Sequence, residues 1–375
     1  MQFVISSSTL SKHLSAISGV ILSNPIIPIL ENFLFEIDSN KLTITASDLQ
    51  TSVTSIIDIN VVGEISIAVP AKILLDMLKS LPDQPIKISM DDQSYSMEIA
   101  SNNGKYKLAG ENAADFPRLI MGNDGVSLKI DSEILKNAIG YTIISASKDE
   151  LKPALNGIFV NFTSNSSTFV STDGFKLSKY VRTDIGIATQ NPFIVPKKTF
   201  SIVNTILGMD KKMVDIVFNS HFICFQMNKM CVISRLIDER YPNYQNIIPQ
   251  GNTNKLVVNR LDMLKSIKRI AIFANKTTRY VGLIFSEGLP LQIFAEDLNF
   301  SNEATESIQC EYTGMDMKIG FKVDAIDIIA SLNSEEIEMH FSEPHKACLI
   351  LPVEKEVNED ILFLTMPISL ENMSG

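Results

Sequence analysis

The chain predicts an α+β protein in which one unit is used three times. Three observations carry this expectation. Short runs rich in Ile, Val, Phe and Thr alternate weakly, as half-buried antiparallel strands do. Helix patterns with apolar spacings of three and four interrupt those runs at matching places. An acid following an apolar run recurs at near-equal intervals: Asp48 in LTITASDLQTSV, Asp173 in TFVSTDGFKLSK and Asp297 in LQIFAEDLNFSN.

The flanks of each acid repeat in order. A helix opens each unit: TLSKHLSAISGVI, SEILKNAIGYTII and RLDMLKSIKRIAIF. A strand run comes next: PILENFLFEID, ALNGIFVNFT and RYVGLIFSEG. Beyond the acid comes a strand leading into a second helix pattern: ISIAVPAKILLDMLKSLPD, PFIVPKKTFSIVNTILGMD and MKIGFKVDAIDIIASLNSEE. Paired strand runs complete the unit, among them IKISM with YSMEIA, MVDIVF with FICFQM, and IEMHF with KACLILPV. Leu10, Leu14 and Ile17 share one helix face, and Leu74, Leu75 and Leu78 another. Ser8 and Ser132 are expected to cap helix starts. The polar, turn-rich stretches MGNDGVS and IPQGNTNK place domain limits at 1–122, 128–250 and 254–375.

Composition narrows the function classes. The chain has 375 residues, 45% of them hydrophobic, enough for several cores. Lys and Arg number 33 against 43 Asp and Glu, a formal net charge of −10, which disfavours a general nucleic-acid binder but leaves local basic patches open. Cys224, Cys231, Cys310 and Cys348 are widely spaced, form no CxxC, and read as buried free thiols of a reducing compartment. The opening MQFVISSSTL lacks the basic start and long apolar stretch of a signal peptide, and no window approaches a membrane span. A cytoplasmic location without membrane contact is the expectation.

Catalytic and metal signatures are missing. His13, His221, His340 and His345 form no HExxH or three-ligand spacing, and no GxSxG, P-loop or GxGxxG occurs. Asp91 and Asp92 lie between strand runs and read as a hairpin turn. The recurring acid is expected to end a strand and shape a turn. What distinguishes the second copy is its continuation, Gly174-Phe175-Lys176-Leu177, which sets an aromatic and a leucine beside that turn, as a docking surface would. No cofactor is expected.

Basic residues gather on the helix patterns: Lys12, Lys72, Lys79, Lys136, Lys197, Lys198, Lys265, Lys268 and Arg269. They are either ordinary polar helix faces or one basic lining that meets phosphates by charge alone. Repeats with unpaired end strands could also close into a ring if two chains joined head to tail. A peptide-docking module that never encloses DNA, and a hydrolase with a scattered site, are the competing readings.

NPIIPILENFLFEI, AVPAKILLDMLKSLP, ENAADFPRL, LKPALNGIFV, STDGFKLSK, FIVPKKTF, SRLIDERYPNYQNIIP and LTMPISL, taken in order and spacing, closely resemble the bacterial DNA polymerase III beta subunits, the replicative sliding clamps. The resemblance covers nearly the whole chain. It implies three DNA-clamp domains with antiparallel sheets outside and helices lining a channel, closed as a head-to-tail ring dimer. It implies a non-catalytic processivity factor that encircles duplex DNA and is placed by an ATP-driven clamp loader. The partners implied are the replicative polymerase alpha subunit, repair polymerases, ligase and mismatch-repair proteins, all docking through short peptide motifs.

Carried over by matching text, the peptide pocket would comprise Leu155, Thr172, Gly174, Phe175, Lys176, Leu177, Pro242, Asn246, Ile247, Leu364, Met366, Pro367, Ile368 and Leu370. The DNA contacts implied are Lys72, Lys152, Lys198 and Arg279, with Pro153 and Thr278 nearby. At the subunit boundary the resemblance sets Lys105, Tyr106 and Lys107 against Ile272, Phe273, Glu303 and Glu306. Departures from the family pattern fall at Asn24, Asn246 and Ser369, where arginine is frequent, at Thr278, aromatic in some members, and in the added Glu371 to Gly375 tail.

Overall fold

The structure, a computed structural model, describes residues 1–122, 124–188, 191–208 and 213–368. Leu370, Ser369 and the tail from Glu371 lie outside the described residues. The predicted α+β architecture is present: antiparallel sheets and few helices. Two compact units form, Met1–Lys136 with Val195–Leu236, and Asn137–Ile194 with Ile237–Gly375. The middle repeat therefore contributes to both, so compactness does not follow the repeat boundaries read from composition.

Each repeat begins with a strand that runs directly into a helix. Strand Gln2–Ser6 leads into α1 (Ser7–Ile17), Val126–Asp131 into α3 (Ser132–Ile143), and Asn254–Asn259 into α5 (Arg260–Ile270). With no loop between, the capping position falls on the last strand residue. Ser6 accepts from the Thr9 amide, the Asp131 carboxylate from Glu133, and Asn259 from Leu261 and Asp262. The expected caps Ser8 and Ser132 are thus already inside their helices. The second helices are α2 (Ala71–Ser80) and α4 (Lys197–Leu207). In the third repeat the expected helix shrinks to α6 (Val323–Ile326) and a 3-10 turn over Asp327–Ser331. Val323, Ile326, Ile328 and Ile329 are β-branched, Asp327 competes with the backbone, and Lys322 supplies no capping bond, so helix propensity is low there.

The predicted helix faces are buried: Leu10, Leu14, Ile17, Leu74 and Leu78 are at most 2% exposed. In the first unit, strands Gln2–Ser6, Pro85–Asp91, Ser96–Ala100 and Lys105–Ala109 form a four-stranded sheet in that spatial order. Beside it is a nine-stranded sheet, in which Met230–Arg235 of the middle repeat pairs with Thr51–Asp58 of the first. The second unit repeats this plan. Lys176–Arg182 of the middle repeat pairs with Glu359–Thr365 of the third, and a four-stranded sheet runs in the order Asn302–Ile308, Leu291–Asp297, Tyr280–Phe285, Met317–Lys322. Both joints are antiparallel seams between repeats. Behind the first, the buried hydroxyls of Thr51, Thr199 and Ser234 bond one another, tying α4 to the seam. Behind the second, buried Arg182 holds Asp184 and Glu356.

The recurring acid shapes a turn in every copy. Asp48 Oδ1 accepts the amides of Gln50 and Thr51, Asp173 Oδ1 those of Phe175 and Lys176, and Asp297 Oδ1 that of Asn299. Asp91 likewise caps its hairpin through the Gln93 amide. The cysteine reading needs correction: only Cys348 is buried, while Cys224, Cys231 and Cys310 are half-exposed on strand faces that alternate outward. Among the described residues, no helix is long and apolar enough to cross a membrane.

The turn after the acid enters left-handed backbone, at Leu49 (φ 74°) in the first repeat and Gly174 (φ 95°) in the second. A Cβ on Gly174 would meet nothing within 4 Å, so only backbone strain opposes it. Leu49→Gly is therefore expected to raise stability, and Gly174→Ala to lower it, each by about 1 kcal/mol in denaturant unfolding.

Candidate functional site

The second copy of the acid turn builds a lip. Strands Ser166–Thr172 and Lys176–Arg182 meet at Asp173-Gly174-Phe175. Thr172 Oγ1 donates to the Lys176 carbonyl and accepts the Gly174 amide, while Asp173 takes the next two amides. The backbone of the turn is satisfied locally, and the Phe175 ring at its tip stands 73% exposed. Lys176 is half-buried beside Asp173, at 4.0 Å.

The third repeat's last strand completes the floor. Its register sets Leu364 opposite Leu177, both buried. Just past the strand, the Met366 amide donates to the Phe175 carbonyl at 2.9 Å, and that of Ile368 to Gly320 at 2.9 Å, so Pro367 is held between two anchors. Leu155, from the 3-10 turn Pro153–Asn156, packs with Leu177 and Leu364 into one apolar cluster. Pro242 is exposed on the connecting segment, and Asn246 and Ile247 are exposed at the end of the turn Tyr244–Ile247.

The same cluster contains residues that sequence reasoning missed: Tyr241, Tyr244, Phe159 and Ile194. The Phe159 ring lies 5.1 Å from that of Tyr241 and 5.7 Å from that of Tyr244. The signal was present in RYPNYQNIIP, where two tyrosines three residues apart interrupt an otherwise polar turn. Burial pushes both tyrosine hydroxyls above their ordinary range, further from ionisation. The arrangement is a neutral apolar floor with Phe175, Met366 and Ile247 exposed on the segments around it. It offers binding of apolar side chains; among the described residues no group of three or more His/Cys/Asp/Glu could hold a metal.

The four cations carried over as DNA contacts stand in different settings. Lys72 is exposed on α2. Lys198, on α4, donates to the Asp48 carboxylate at 2.5 Å and to the Val20 carbonyl at 2.9 Å. Lys152 lies 4.0 Å from Asp149, and Arg279, in left-handed backbone, 3.7 Å from Asp324. Thr278 closes a turn on Asn275, and Asn24, also left-handed, donates its amide to Glu31. Further cations project from the helices: Lys79, Lys136, Lys265 and Lys268 are exposed.

The boundary residues expected from the resemblance lie on two outermost strands and just beyond α5. Lys105, Tyr106 and Lys107 are exposed along an outermost strand of the first unit. Glu303 and Glu306 lie on an outermost strand of the second, with Glu306 gripped by both Nε and Nη2 of Arg269. That grip holds the Glu306 carboxyl below its usual range. Ile272 (78%) and Phe273 (42%) are exposed just beyond α5.

Floor and lip should separate in their energetics. Leu364→Ala removes buried volume and is expected to cost about 2–5 kcal/mol. Phe175→Ala removes an exposed ring and is expected to stay within about 0.5 kcal/mol of the parent in urea unfolding.

Similarity to known proteins runs repeat by repeat. Models of the N-terminal, central and C-terminal domains of the DNA polymerase III beta subunit match residues 1–120, 129–243 and 245–369 in turn. The chain is 28% identical over 375 residues to the beta sliding clamp of Pseudomonas aeruginosa, covering 99% of this chain and 100% of that one. It is 27% identical over 374 residues to that of Pseudomonas putida, with the same coverage. Two solved sliding clamps bound to griselimycin superpose over 99% of this chain and the whole of theirs. The Bartonella birtlesii protein does so with a TM-score of 0.91 at 27% identity, and that of P. aeruginosa with 0.90 at 26%. The repeats, the two seams and the full-length match agree: the chain belongs to the DNA polymerase III beta subunit family.

Proposed function

We propose that two copies of this chain close head to tail around duplex DNA and present the apolar site beside Phe175 to short peptide motifs of replication and repair proteins. Membership of the family makes the chain a DNA sliding clamp, a non-catalytic factor that keeps a polymerase on its template.

One observation carries the ring. The last strand of the middle repeat's leading sheet, Met230–Arg235, pairs with Thr51–Asp58 of the first repeat, and the third repeat's Glu359–Thr365 pairs with Lys176–Arg182. The corresponding strands at the two ends are Lys105–Ala109 and Asn302–Ile308. Each is outermost in its sheet. Exposed strand edges template pairing with another chain. A third seam of the same kind, formed between two chains, would use both edges and leave neither free, as closed symmetry requires. The basic Lys105-Tyr106-Lys107 edge and the acidic Glu303–Glu306 edge are complementary in charge, and Ile272 and Phe273 would supply apolar hold.

Within such a ring, Lys72, Lys152, Lys198 and Arg279 would meet phosphates without reading sequence. Three of them stand beside carboxylates, which favours weak contact and sliding. Enclosure then provides retention that affinity does not. For the peptide site, covering two or three apolar side chains would give roughly 4–6 kcal/mol before ordering costs, an exchangeable interaction suited to partners that take turns. Clamp loader, polymerase alpha subunit, repair polymerases, ligase and mismatch-repair proteins are the partners proposed.

The ring is tested by topology. Protein placed on a nicked circular DNA by its cognate clamp loader with ATP is expected to co-elute with the circle and to be lost once the circle is cut. Equal retention on cut and uncut DNA would mean ordinary affinity binding and end the ring reading. The edges are tested by mass: an Ile272→Ala, Phe273→Ala double variant should sediment as folded monomer at concentrations where the parent is a dimer, and an undiminished dimer would remove these residues from the boundary.

A further inference from the structure

We propose that Cys224 and Cys231 form a reversible oxidation site, a dithiol that closes to a disulfide on the outward face of the hairpin carrying the first seam. Strands Phe222–Met227 and Met230–Arg235 pair antiparallel with Cys224 opposite Ile233 and Cys231 opposite Gln226. The two cysteines are therefore diagonal neighbours on one face. Their sulfurs lie 3.3 Å apart, in mutual hydrogen-bond contact. Both side chains are half-exposed, whereas the alternating residues Ile223, Phe225, Val232 and Ser234 are buried. The site thus faces away from the core and is open to small oxidants.

Either thiol can donate in this contact. A thiol donating to its neighbour stabilises that neighbour's thiolate. Cys224 is lowered by its bond from Cys231, and Cys231 is raised by the same bond. With hydrogen peroxide as oxidant, the Cys224 thiolate attacks one peroxide oxygen. An S–O bond forms, the O–O bond breaks, and the departing hydroxide is protonated to water. The Cys231 sulfur then attacks the sulfenic sulfur. An S–S bond forms, the S–O bond breaks, and the leaving hydroxide takes up the Cys231 proton. Two thiols lose two hydrogens in all, and one peroxide becomes two waters.

The register also predicts that the bond is temporary. Diagonal neighbours in an antiparallel ladder stand about 7–8 Å apart, at the limit of about 7 Å that a disulfide spans without backbone movement. Closing it draws the two strands together at a diagonal, and strained disulfides are the easily reduced ones. Met230–Arg235 is also the strand that pairs with Thr51–Asp58, so the modification falls on a seam between repeats. Cys310 and Cys348 serve as internal controls. Cys310 is half-exposed with its thiol toward the Leu289 carbonyl, and Cys348 is buried.

The folded full-length protein is treated with dilute hydrogen peroxide, quenched, denatured and alkylated, and its peptides are weighed. The expected result is loss of two alkylatable thiols per chain as a single Cys224–Cys231 cross-linked peptide, restored by a dithiol reductant, with Cys310 and Cys348 still alkylated. In Cys231→Ser, Cys224 should stop at a dimedone-reactive sulfenic acid and yield no cross-link. The proposal is overturned if the parent carries Cys224 on to sulfinic acid without the cross-link. It is equally overturned if Cys310 is oxidised before either member of the pair.

Discussion

Everything in this chain depends on antiparallel pairing between repeats. A repeat whose sheets ended in unpaired strands would expose rows of amides and carbonyls, and each of the two seams satisfies one such edge from each of two repeats. Consequently the middle repeat belongs half to each compact unit. The seams also locate the apolar cluster and the thiol pair. The apolar site sits where the Lys176–Arg182 strand meets the Glu359–Thr365 strand, since only there does Leu177 face Leu364. The thiol pair sits on the hairpin of the other seam.

The same turn serves different ends in different copies. In the first repeat Asp48 caps the turn and also receives Lys198, so its surface is consumed by an ion pair with α4. In the second, Asp173 caps the turn with Lys176 at 4.0 Å, and glycine replaces the strained residue. The tip is then free to carry an exposed aromatic. The residues just after the acid differ from copy to copy, while the device itself remains a strand end in all three.

Charge is arranged in the same local way. A net charge of −10 coexists with helices that present Lys72, Lys79, Lys136, Lys265 and Lys268 to solvent. Carboxylates beside Lys152, Lys198 and Arg279 temper those cations without removing them. In the ring proposed above, tempered contact would be an advantage, since strong phosphate binding would oppose sliding.

The sequence by itself determined the local structure. Apolar spacing placed the buried faces of α1 and α2, β-branched runs placed the strands, and the repeated acid marked the same turn three times. These are properties of neighbours along the chain, where periodicity and turn chemistry act directly. Resemblance named the lip from Thr172 to Leu177, and the structure put Leu155 and Leu364 against it. Only the tertiary structure decided which strands join across repeats, that Tyr241 and Tyr244 complete the floor, that Lys198 is claimed by Asp48, and that Cys224 touches Cys231. Each of these rests on strand register or on packing between distant segments. Backbone hydrogen bonds carry no side-chain signature, so the pairing of distant strands cannot be read from composition. Register matters because a shift of one residue sends every side chain to the opposite face.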